Sequence, residues 1–313
     1  MSRALSPLVA DAIDQVEALM ARSLASQVPL LHHAAGLVVS AGGKRLRPTV
    51  LLLSQRAMGG GDVAFAVRLA AAVEMVHTAS LVHDDINDRS DLRRGQPAVR
   101  TRWGDAAALL VGDFVFVRLL DLVAEAGVEA IQLLAEACGA LVEGETLQLL
   151  STWDASFTAE RYLEVIGQKT AVLLATCAEL GALAAGAAID ERQALRAYGY
   201  HLGLAYQIRD DTLDLVGDRE RMGKPNASDL DQGLLSLPAL HALRMRPELA
   251  ICVRERNPEP LKAAIRETGG IDEATTAARA QAEAAAAALA PLPPSAAREE
   301  LERLARWAAE RER

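Results

Sequence analysis

Residues 65–88 read FAVRLAAAVEMVHTASLVHDDIND, an apolar run that ends in a cluster of aspartates. At about 100° of rotation per helical residue, Asp84 and Asp88 share one face, with Asp85 beside them. Clustered carboxylates repel one another unless a cation is present, and Mg²⁺ binds through one or two carboxylates together with waters and phosphate oxygens. The stretch predicts a buried helix with a Mg²⁺ site at its end, although a solvated helix end would look the same.

A second acidic cluster repeats this spacing 126 residues later. Asp210, Asp211 and Asp214 also follow an apolar helical segment. Two such clusters that face each other across a cavity could hold a diphosphate through several Mg²⁺ ions. A departing diphosphate requires this neutralisation, because bond cleavage places extra negative charge on its oxygens.

Two basic segments accompany the acidic ones. Residues 42–48 read GGKRLRP, and Arg93 and Arg94 follow the first acidic motif. Arginine suits bidentate phosphate binding, and lysine supplies a point charge. In a chain with a net charge of -9, these segments indicate local anion sites, with a solvated charge run as the alternative for either one alone.

Composition favours an all-α protein. Hydrophobic residues make up 51% of the 313 residues and aromatics 4%, Ala and Leu dominate, and both favour helix. Helical periodicity runs almost throughout, and no composition shift marks a linker. The net negative charge argues against a general nucleic-acid-binding surface.

Localisation is predicted to be cytoplasmic. The first twenty residues carry acidic side chains where an export signal would be apolar, and the three cysteines lack CxxC spacing, as in a reduced cytosolic protein. Residues 170–189 contain a single charge, Glu179, and could span a membrane or form the central helix of a bundle. Without a second such segment, the buried helix is the favoured interpretation.

The chain resembles the trans-polyprenyl diphosphate synthase family from end to end. The motifs that carry the resemblance, in family order, are GGKRLRP (42–48), EMVHTASLVHDDINDRSDLRRGQP (74–97), GETLQ (144–148), QKTA (168–171), GLAYQIRDDTLD (203–214) and GKPNASDLDQG (223–233). The resemblance implies that residues 1–313 form a single-domain bundle of long helices around a deep central cavity, usually as a homodimer. It also implies condensation of an allylic diphosphate with isopentenyl diphosphate.

The resemblance assigns roles to matching residues. Mg²⁺ ligands on the allylic diphosphate would be Asp84, Asp85, Asp88, Asp210 and Asp211, with Asp214 completing the second motif. The same diphosphate would contact Arg93, Lys169 and Lys224, while Thr170 and Gln207 would line the reacting centre. Isopentenyl diphosphate would bind to Lys44, Arg47, His77 and Arg94. His77 lies seven residues before Asp84, hence on the same helical face.

Two positions depart from the family pattern. Leu234 stands where the family often has a lysine after Gly233, which removes one possible diphosphate contact. Tyr206 replaces a common phenylalanine before Gln207, which is a mild change.

Product length in this family depends on the residue five positions before the first acidic motif, where a bulky aromatic blocks the growing chain. Here that residue is Ala79, followed by Ser80, with Val76 one turn deeper. The first motif also lacks the two-residue insertion of many short-chain enzymes. These features predict a hexaprenyl to decaprenyl product, unless a bulky residue deeper in the tunnel forms its floor.

Three alternatives stay open at this point. A short-chain farnesyl or geranylgeranyl diphosphate synthase would differ only in product length. A terpene cyclase would need neither the second aspartate motif nor GGKRLRP, and a non-catalytic partner subunit would typically lack the aspartates. Because no Ser-His-Asp or Cys-His arrangement is evident, chemistry through a side-chain nucleophile is not expected.

Overall fold

Helices account for nearly all regular structure in the computed structural model, which describes residues 5–216 and 227–312. The helices are α1 Ala10–Ser23, α2 Pro29–Ser40, α3 Leu46–Ala57, α4 Val63–Asn87, α5 Val99–Trp103, α6 Asp105–Val123, α7 Val128–Leu150, α8 Ala159–Ile166, α9 Val172–Ala184, α10 Ile189–Val216, α11 Ser228–Asp231, α12 Leu237–Met245, α13 Ala250–Arg254, α14 Glu259–Glu267, α15 Gly270–Ala288 and α16 Ala296–Glu310. Short 3₁₀ turns occupy Pro7–Val9 and Pro247–Leu249, and two-residue strands are β1 Leu92–Arg93 and β2 Gln96–Pro97. The all-α prediction is confirmed.

The described residues form two compact units. The first comprises those of Met1–Glu136, Cys177–Arg192 and Leu292–Glu300. The second comprises those of Ala137–Thr176, Gln193–Pro291 and Leu301–Arg313. The prediction of one domain over residues 1–313 stays a prediction.

Helix α4 is the core helix of the first unit. The carboxylate of Asp62 caps its start by accepting a hydrogen bond from Phe65 N at 3.0 Å, which satisfies one of the unpaired N–H groups of the first turn. Most residues between Ala66 and Val82 are buried, and α4 packs against α1, α3 and α6. A helix that is apolar on nearly all sides requires neighbours on all sides, which explains this packing.

In the second unit, α10 lies very close to the start of α9. A Cβ atom at Gly203 would lie 2.5 Å from the Cα of Ala171, so a larger residue would force the two segments apart. Ala171 ends a π-helical turn, Gly167–Ala171, that separates α8 from α9. Turns of this kind interrupt α-helices frequently at functional sites, and this one carries Lys169 and Thr170.

Helix α4, and not the stretch of residues 170–189, is long and apolar enough to be considered as a membrane-spanning helix. Among the described helices α4 alone is long and apolar enough, and 72% of its apolar window is buried, as in the core helix of a soluble protein. Residues 170–189 are divided between the π-helical turn, α9 and the start of α10. Glu179 within this stretch is buried and pairs with Arg192 at 3.2 Å.

Candidate active site

The first aspartate motif lies at the C-terminal end of α4. Asp84 and Asp85 belong to the last turn and Asp88 is the C-cap residue, with no basic side chain in that turn. Unpaired carbonyl groups make this end of a helix negative, so carboxylates there raise the electrostatic energy. A bound cation would therefore stabilise both the side chains and the helix end.

Asp85 is the buried member of the motif, with 4% of its surface exposed. Arg93 Nε donates a hydrogen bond to its Oδ1 at 2.8 Å, and Arg93 Nη2 contacts the same oxygen. Burial raises the pKa of Asp85, and the guanidinium of Arg93 opposes that rise. Asp84 is partly buried and Asp88 is exposed. The motif thus combines one internal, arginine-paired carboxylate with two more accessible ones.

A tight hairpin carries the two arginines that follow the motif. β1 and β2 pair antiparallel, with Arg93 opposite Gln96. Arg94 and Gly95 between them have φ angles of 53° and 74°. Two successive positive φ values form the turn that matches the twist of a two-residue hairpin. Because of this turn, Arg93 contacts the aspartate motif while Arg94 extends to a different site.

That different site is a cluster of cations near His77. A Cβ atom at Gly43 would lie 2.8 Å from the guanidinium of Arg94, so the glycine permits this close contact. Burial, followed by the charges of Arg47, Arg94, Arg93 and Arg45, holds the pKa of His77 well below its usual range. Arg47 Nε is buried and has no hydrogen-bond partner in the described part of the chain. An anion here would neutralise the cluster and could accept that missing bond.

Arg45 has a structural role within the same basic segment. It is 3% exposed, and its guanidinium contacts Glu17 Oε1 and Glu74 Oε1, each at 2.9 Å, together with the carbonyl of Val39 at 2.9 Å. Burial opposes its charge, but the two glutamates outweigh that effect and raise the pKa of Arg45. Its φ of 51° begins the turn into α3. GGKRLRP therefore contains one internal cation as well as the predicted ligands.

The second aspartate motif lies near the C-terminal end of α10, again without a basic side chain in the last turn. Gln207 Nε2 donates to Asp211 Oδ1 at 2.7 Å, and the Tyr162 hydroxyl donates to Asp211 Oδ2 at 2.6 Å. Thr170 Oγ1 donates to Gln207 Oε1 at 2.8 Å. Thr170, Gln207 and Asp211 thus form one hydrogen-bonded chain.

Asp211 is held in a strongly negative environment. Burial and the charge of Asp229 raise its pKa to about 7, despite the hydrogen bonds from Tyr162 and Gln207. Asp210 pairs with Arg311, whose Nη2 lies 2.6 Å from Asp210 Oδ1. Clustered carboxylates, one of them with a raised pKa, form a donor set that a divalent cation would stabilise.

Asp214 differs from the other five aspartates. It is 4% exposed, and its Oδ2 accepts a hydrogen bond from Asp229 N at 3.2 Å. Its carbonyl also accepts from Ala227 N at 2.7 Å. Asp214 therefore anchors the start of α11, and its part in metal binding stays a prediction.

The three lysines predicted to bind diphosphate differ in what the structure shows of them. Lys169 pairs with Glu145 of the GETLQ segment at 2.6 Å. Lys44 is partly buried just before α3. Lys224 lies outside the described residues, so its predicted contact is not located. Leu234, at the position of the family lysine, is partly buried, and its N–H bonds to the carbonyl of Asp229 at 3.0 Å.

The aspartates fit Mg²⁺ by their chemistry rather than as a preformed cage. Within residues 5–216 and 227–312, no three His, Cys, Asp or Glu side chains form a metal-binding group. Mg²⁺ usually keeps several waters and completes its coordination with substrate phosphates, so one or two carboxylates per ion suffice. The oxygen-only side chains of both motifs meet that requirement.

Three residues of this site were not predicted from the sequence. They are Tyr162, Glu145 and Arg311, which contact Asp211, Lys169 and Asp210 respectively. Tyr162 lies six residues before the QKTA motif, a spacing that suggests nothing about Asp211. Arg311 lies 101 residues from its partner, and no local pattern links them.

The residues predicted to set product length lie on α4, on one side of the helix. Val76 and Ala79 are buried, and the Ser80 hydroxyl donates to the carbonyl of His77 at 3.0 Å. No aromatic side chain occurs at these three positions.

Residues 28–267 match the sequence model of a family described as Polyprenyl synthetase. The chain belongs to the polyprenyl synthetase family. It is accordingly a prenyltransferase, and the resemblance stated above is confirmed. Octaprenyl diphosphate synthase of Escherichia coli (strain K12) is 37% identical over 319 residues, which cover 99% of this chain and 98% of that protein.

Solved structures of polyprenyl synthetases agree with this assignment. A polyprenyl synthase from Caulobacter crescentus CB15, complexed with calcium and isoprenyl diphosphate, is 38% identical with a TM-score of 0.91 over 99% of this chain and 97% of that chain. A decaprenyl diphosphate synthase from Rhodobacter capsulatus is 35% identical with a TM-score of 0.92 over 99% and 98% of the two chains. The fold is therefore that of the long-chain relatives as well as of the family.

Proposed function

We propose that this prenyltransferase extends farnesyl or geranylgeranyl diphosphate with isopentenyl diphosphate units to give an all-trans polyprenyl diphosphate of hexaprenyl to decaprenyl length. One observation carries the proposal. A single hairpin presents Arg93 to the aspartate motif and Arg94 to the cation cluster at His77. Condensation of two diphosphates requires two neighbouring anion sites, and this hairpin belongs to both.

The allylic diphosphate is assigned to the aspartate motifs. Mg²⁺ held there by carboxylates would supply the positive charge that stabilises a departing diphosphate; these carboxylates belong to Asp84, Asp85, Asp88, Asp210, Asp211 and Asp214. Arg93, Lys169 and Lys224 are assigned to the same diphosphate. Arg93 already holds Asp85 at 2.8 Å, so its guanidinium is oriented beside the motif before substrate binds.

Isopentenyl diphosphate is assigned to the cation cluster. Lys44, Arg47, His77 and Arg94 would bind its diphosphate. The lowered pKa of His77 keeps its imidazole neutral at pH 7, so it acts as a hydrogen-bond donor while the arginines carry the charge. The second diphosphate keeps its bond to carbon, and these residues only need to orient its alkene.

The reaction then needs no side-chain nucleophile. The allylic C–O bond breaks and its electron pair leaves with the diphosphate. The double bond of isopentenyl diphosphate attacks the allylic carbon, and loss of a proton from the adjacent carbon restores a double bond. The released diphosphate can act as the base that accepts that proton. The side chains of Thr170 and Gln207 are hydrogen-bonded to each other at 2.8 Å. Their oxygen atoms would face the positive charge that develops on the allylic group.

Chain length is assigned to α4. Ala79 and Val76 are both buried, and neither carries the bulky aromatic side chain that would block a growing chain. A short-chain farnesyl or geranylgeranyl product is the second candidate, and it requires a bulky residue elsewhere to stop growth.

The enzyme is proposed to be a cytoplasmic homodimer without an integral membrane segment and without a nucleic-acid partner. Helix α6 supports the dimer because it exposes large apolar side chains that a partner copy would cover. These are Leu109, Leu110, Phe116, Val117 and Leu120.

The test is product analysis with purified protein, farnesyl diphosphate, labelled isopentenyl diphosphate and Mg²⁺. A ladder that ends in one long product, and that EDTA abolishes, is the expected result. A product that stops at geranylgeranyl would keep the family reaction and exclude the long chain. A hydrocarbon product would indicate a terpene cyclase. No incorporation by a protein that gel filtration shows to be well folded would indicate a requirement for a partner subunit.

A further inference from the structure

Arg311 follows α16 and contacts the second aspartate motif through its guanidinium. It is 6% exposed. Its Nη2 donates to Asp210 Oδ1 at 2.6 Å and to the carbonyl of Tyr206 at 3.2 Å. Its Cζ lies 4.0 Å from the centre of the Tyr206 ring, a distance at which the ring face attracts a cation. One guanidinium is therefore held by three contacts to a single turn of α10.

The backbone of residue 311 is also fixed. Arg209 Nε donates to the Arg311 carbonyl at 2.8 Å, and Arg311 N donates to the carbonyl of Trp307 at 2.9 Å. The ring of Trp307 lies 6.1 Å from that of Tyr206. Because main chain and side chain are both anchored to α10, the guanidinium has one preferred position.

The contact uses only one oxygen of Asp210. Oδ1 accepts the bond from Arg311, and in the described residues Oδ2 accepts none. The Asp210 side chain is 52% exposed, so Oδ2 can reach a ligand. A carboxylate that is held through one oxygen presents the other in a fixed direction, which is how outer partners orient metal ligands.

We propose that Arg311 is a positioning residue for the second aspartate motif, which orients Asp210 so that its second oxygen can bind the Mg²⁺ ion of a diphosphate complex. This inference rests on the proposed function, in which Asp210 is a metal ligand. It adds a residue from a distant part of the chain to that function. A purely structural alternative is that Arg311 only attaches α16 to α10.

The experiment measures binding rather than turnover. Isothermal titration calorimetry gives the affinity for inorganic diphosphate at a series of Mg²⁺ concentrations. The readout is the Mg²⁺ concentration at which the affinity for diphosphate reaches half of its maximum. Loss of an outer partner typically weakens metal binding by about 10–100-fold. Arg311→Gln is therefore expected to raise that concentration at least about tenfold. Arg306→Gln, which changes an exposed arginine on α16, five residues before Arg311, is the matched control and is expected to leave that concentration unchanged.

Two further variants separate positioning from attachment. Arg311→Lys keeps the charge and can reach one oxygen, so it is expected to recover part of the Mg²⁺ affinity. Arg209→Met releases the carbonyl of residue 311 but keeps the guanidinium, so it is expected to lower the melting temperature with a smaller change in Mg²⁺ dependence. These two variants also decide the matter if Arg311→Gln does not fold.

The inference is overturned if a folded Arg311→Gln variant has the Mg²⁺ dependence of the wild type, or a tighter one. A tighter dependence would mean that the guanidinium competes with the metal ion. Equal behaviour of Arg311→Lys and Arg311→Gln, with changes in melting temperature alone, would leave only the attachment role. Failure of the proposed function is distinct, since wild-type protein would then neither bind diphosphate in a Mg²⁺-dependent manner nor form product.

Discussion

Replacement of Arg45 by methionine separates the structural and the ligand-binding cations of GGKRLRP. The guanidinium of Arg45 lies 2.9 Å from carboxylate oxygens of both Glu74 and Glu17. The Glu74 side chain is 3% exposed, so Arg45→Met leaves a buried charge without its partner. Breaking a buried ion pair in this way costs about 3–5 kcal/mol.

That cost corresponds to a measurable change in melting temperature. With an unfolding entropy of about 2.1 cal/mol/K per residue, a chain of 313 residues loses roughly 1.5 °C per kcal/mol. We therefore expect Arg45→Met to melt about 5–8 °C below the wild type. The double variant Arg45→Met/Glu74→Gln should recover part of this loss, because it also removes the stranded charge.

Arg47→Met is the matched control, two residues along the same segment. Arg47 is assigned to isopentenyl diphosphate, and loss of a charge-assisted bond of about 1.5–3 kcal/mol should raise the KM for that substrate at least about tenfold. Its melting temperature should change little. Differential scanning fluorimetry and initial rates at a temperature where both variants are folded provide the two readouts.

The reasoning would be refuted if the two variants behaved alike. An Arg45→Met protein that melts within 2 °C of the wild type would show that the buried ion pairs contribute little (about 1 kcal/mol or less at the same conversion). An equal rise in KM for both variants would show that Arg45 takes part in substrate binding.

Three further predictions follow from the site. Ala79→Phe fills space beside α4 and should shorten the product by several isoprene units, which chromatography of the dephosphorylated products would reveal; an unchanged product would place the floor elsewhere. Tyr162→Phe removes one hydrogen-bond donor to Asp211 and should slow single turnover by about 10–100-fold, since a bond to a charged group contributes about 1.5–3 kcal/mol. An unchanged single-turnover rate would mean that the hydroxyl has no influence on the motif. The depressed pKa of His77 means that the unfolded chain takes up its proton first, so ligand-free protein should lose stability as the pH falls below about 6.5. His77→Asn should lose less stability than the wild type between pH 7 and 5 in urea titrations, and equal losses would contradict the assignment.

The fold class was predictable because Ala- and Leu-rich segments with helical periodicity cover most of the sequence, and no strand pattern of useful length accompanies them. Asp84 and Asp88 were placed correctly near one helix end for the same reason, since residues within one helix have fixed relative positions. The hydrogen bond between Thr170 and Gln207 was not predicted, because the family resemblance only assigned both residues to the reacting centre. Residues on different helices need tertiary information, which a single sequence does not contain.

The internal ion pairs were not predictable. Nothing in GGKRLRP indicates that Arg45 is buried and paired while Arg47 Nε has no hydrogen-bond partner among residues 5–216 and 227–312, because the pairing of Arg45 depends on Glu74 of α4 and Glu17 of α1. The partners of Asp85 and Asp210 are likewise arginines from other segments. Sequence reasoning identified which residues are charged, but not which charges neutralise one another.

The π-helical turn at Gly167–Ala171 changes the direction in which the side chains of α9 point relative to those of α8. In an uninterrupted α-helix, Thr170 would lie about 80° around the axis from Tyr162, so both could not meet one neighbouring helix equally well. A π turn holds roughly one extra residue, which takes back about 100° and brings the two side chains within about 20° of each other. Both therefore bond to the same chain of groups on α10. Deletion of one residue here would rotate the residues that follow and separate the two contacts, so insertions and deletions should be tolerated far less in this turn than in the loops before α8 and after α9.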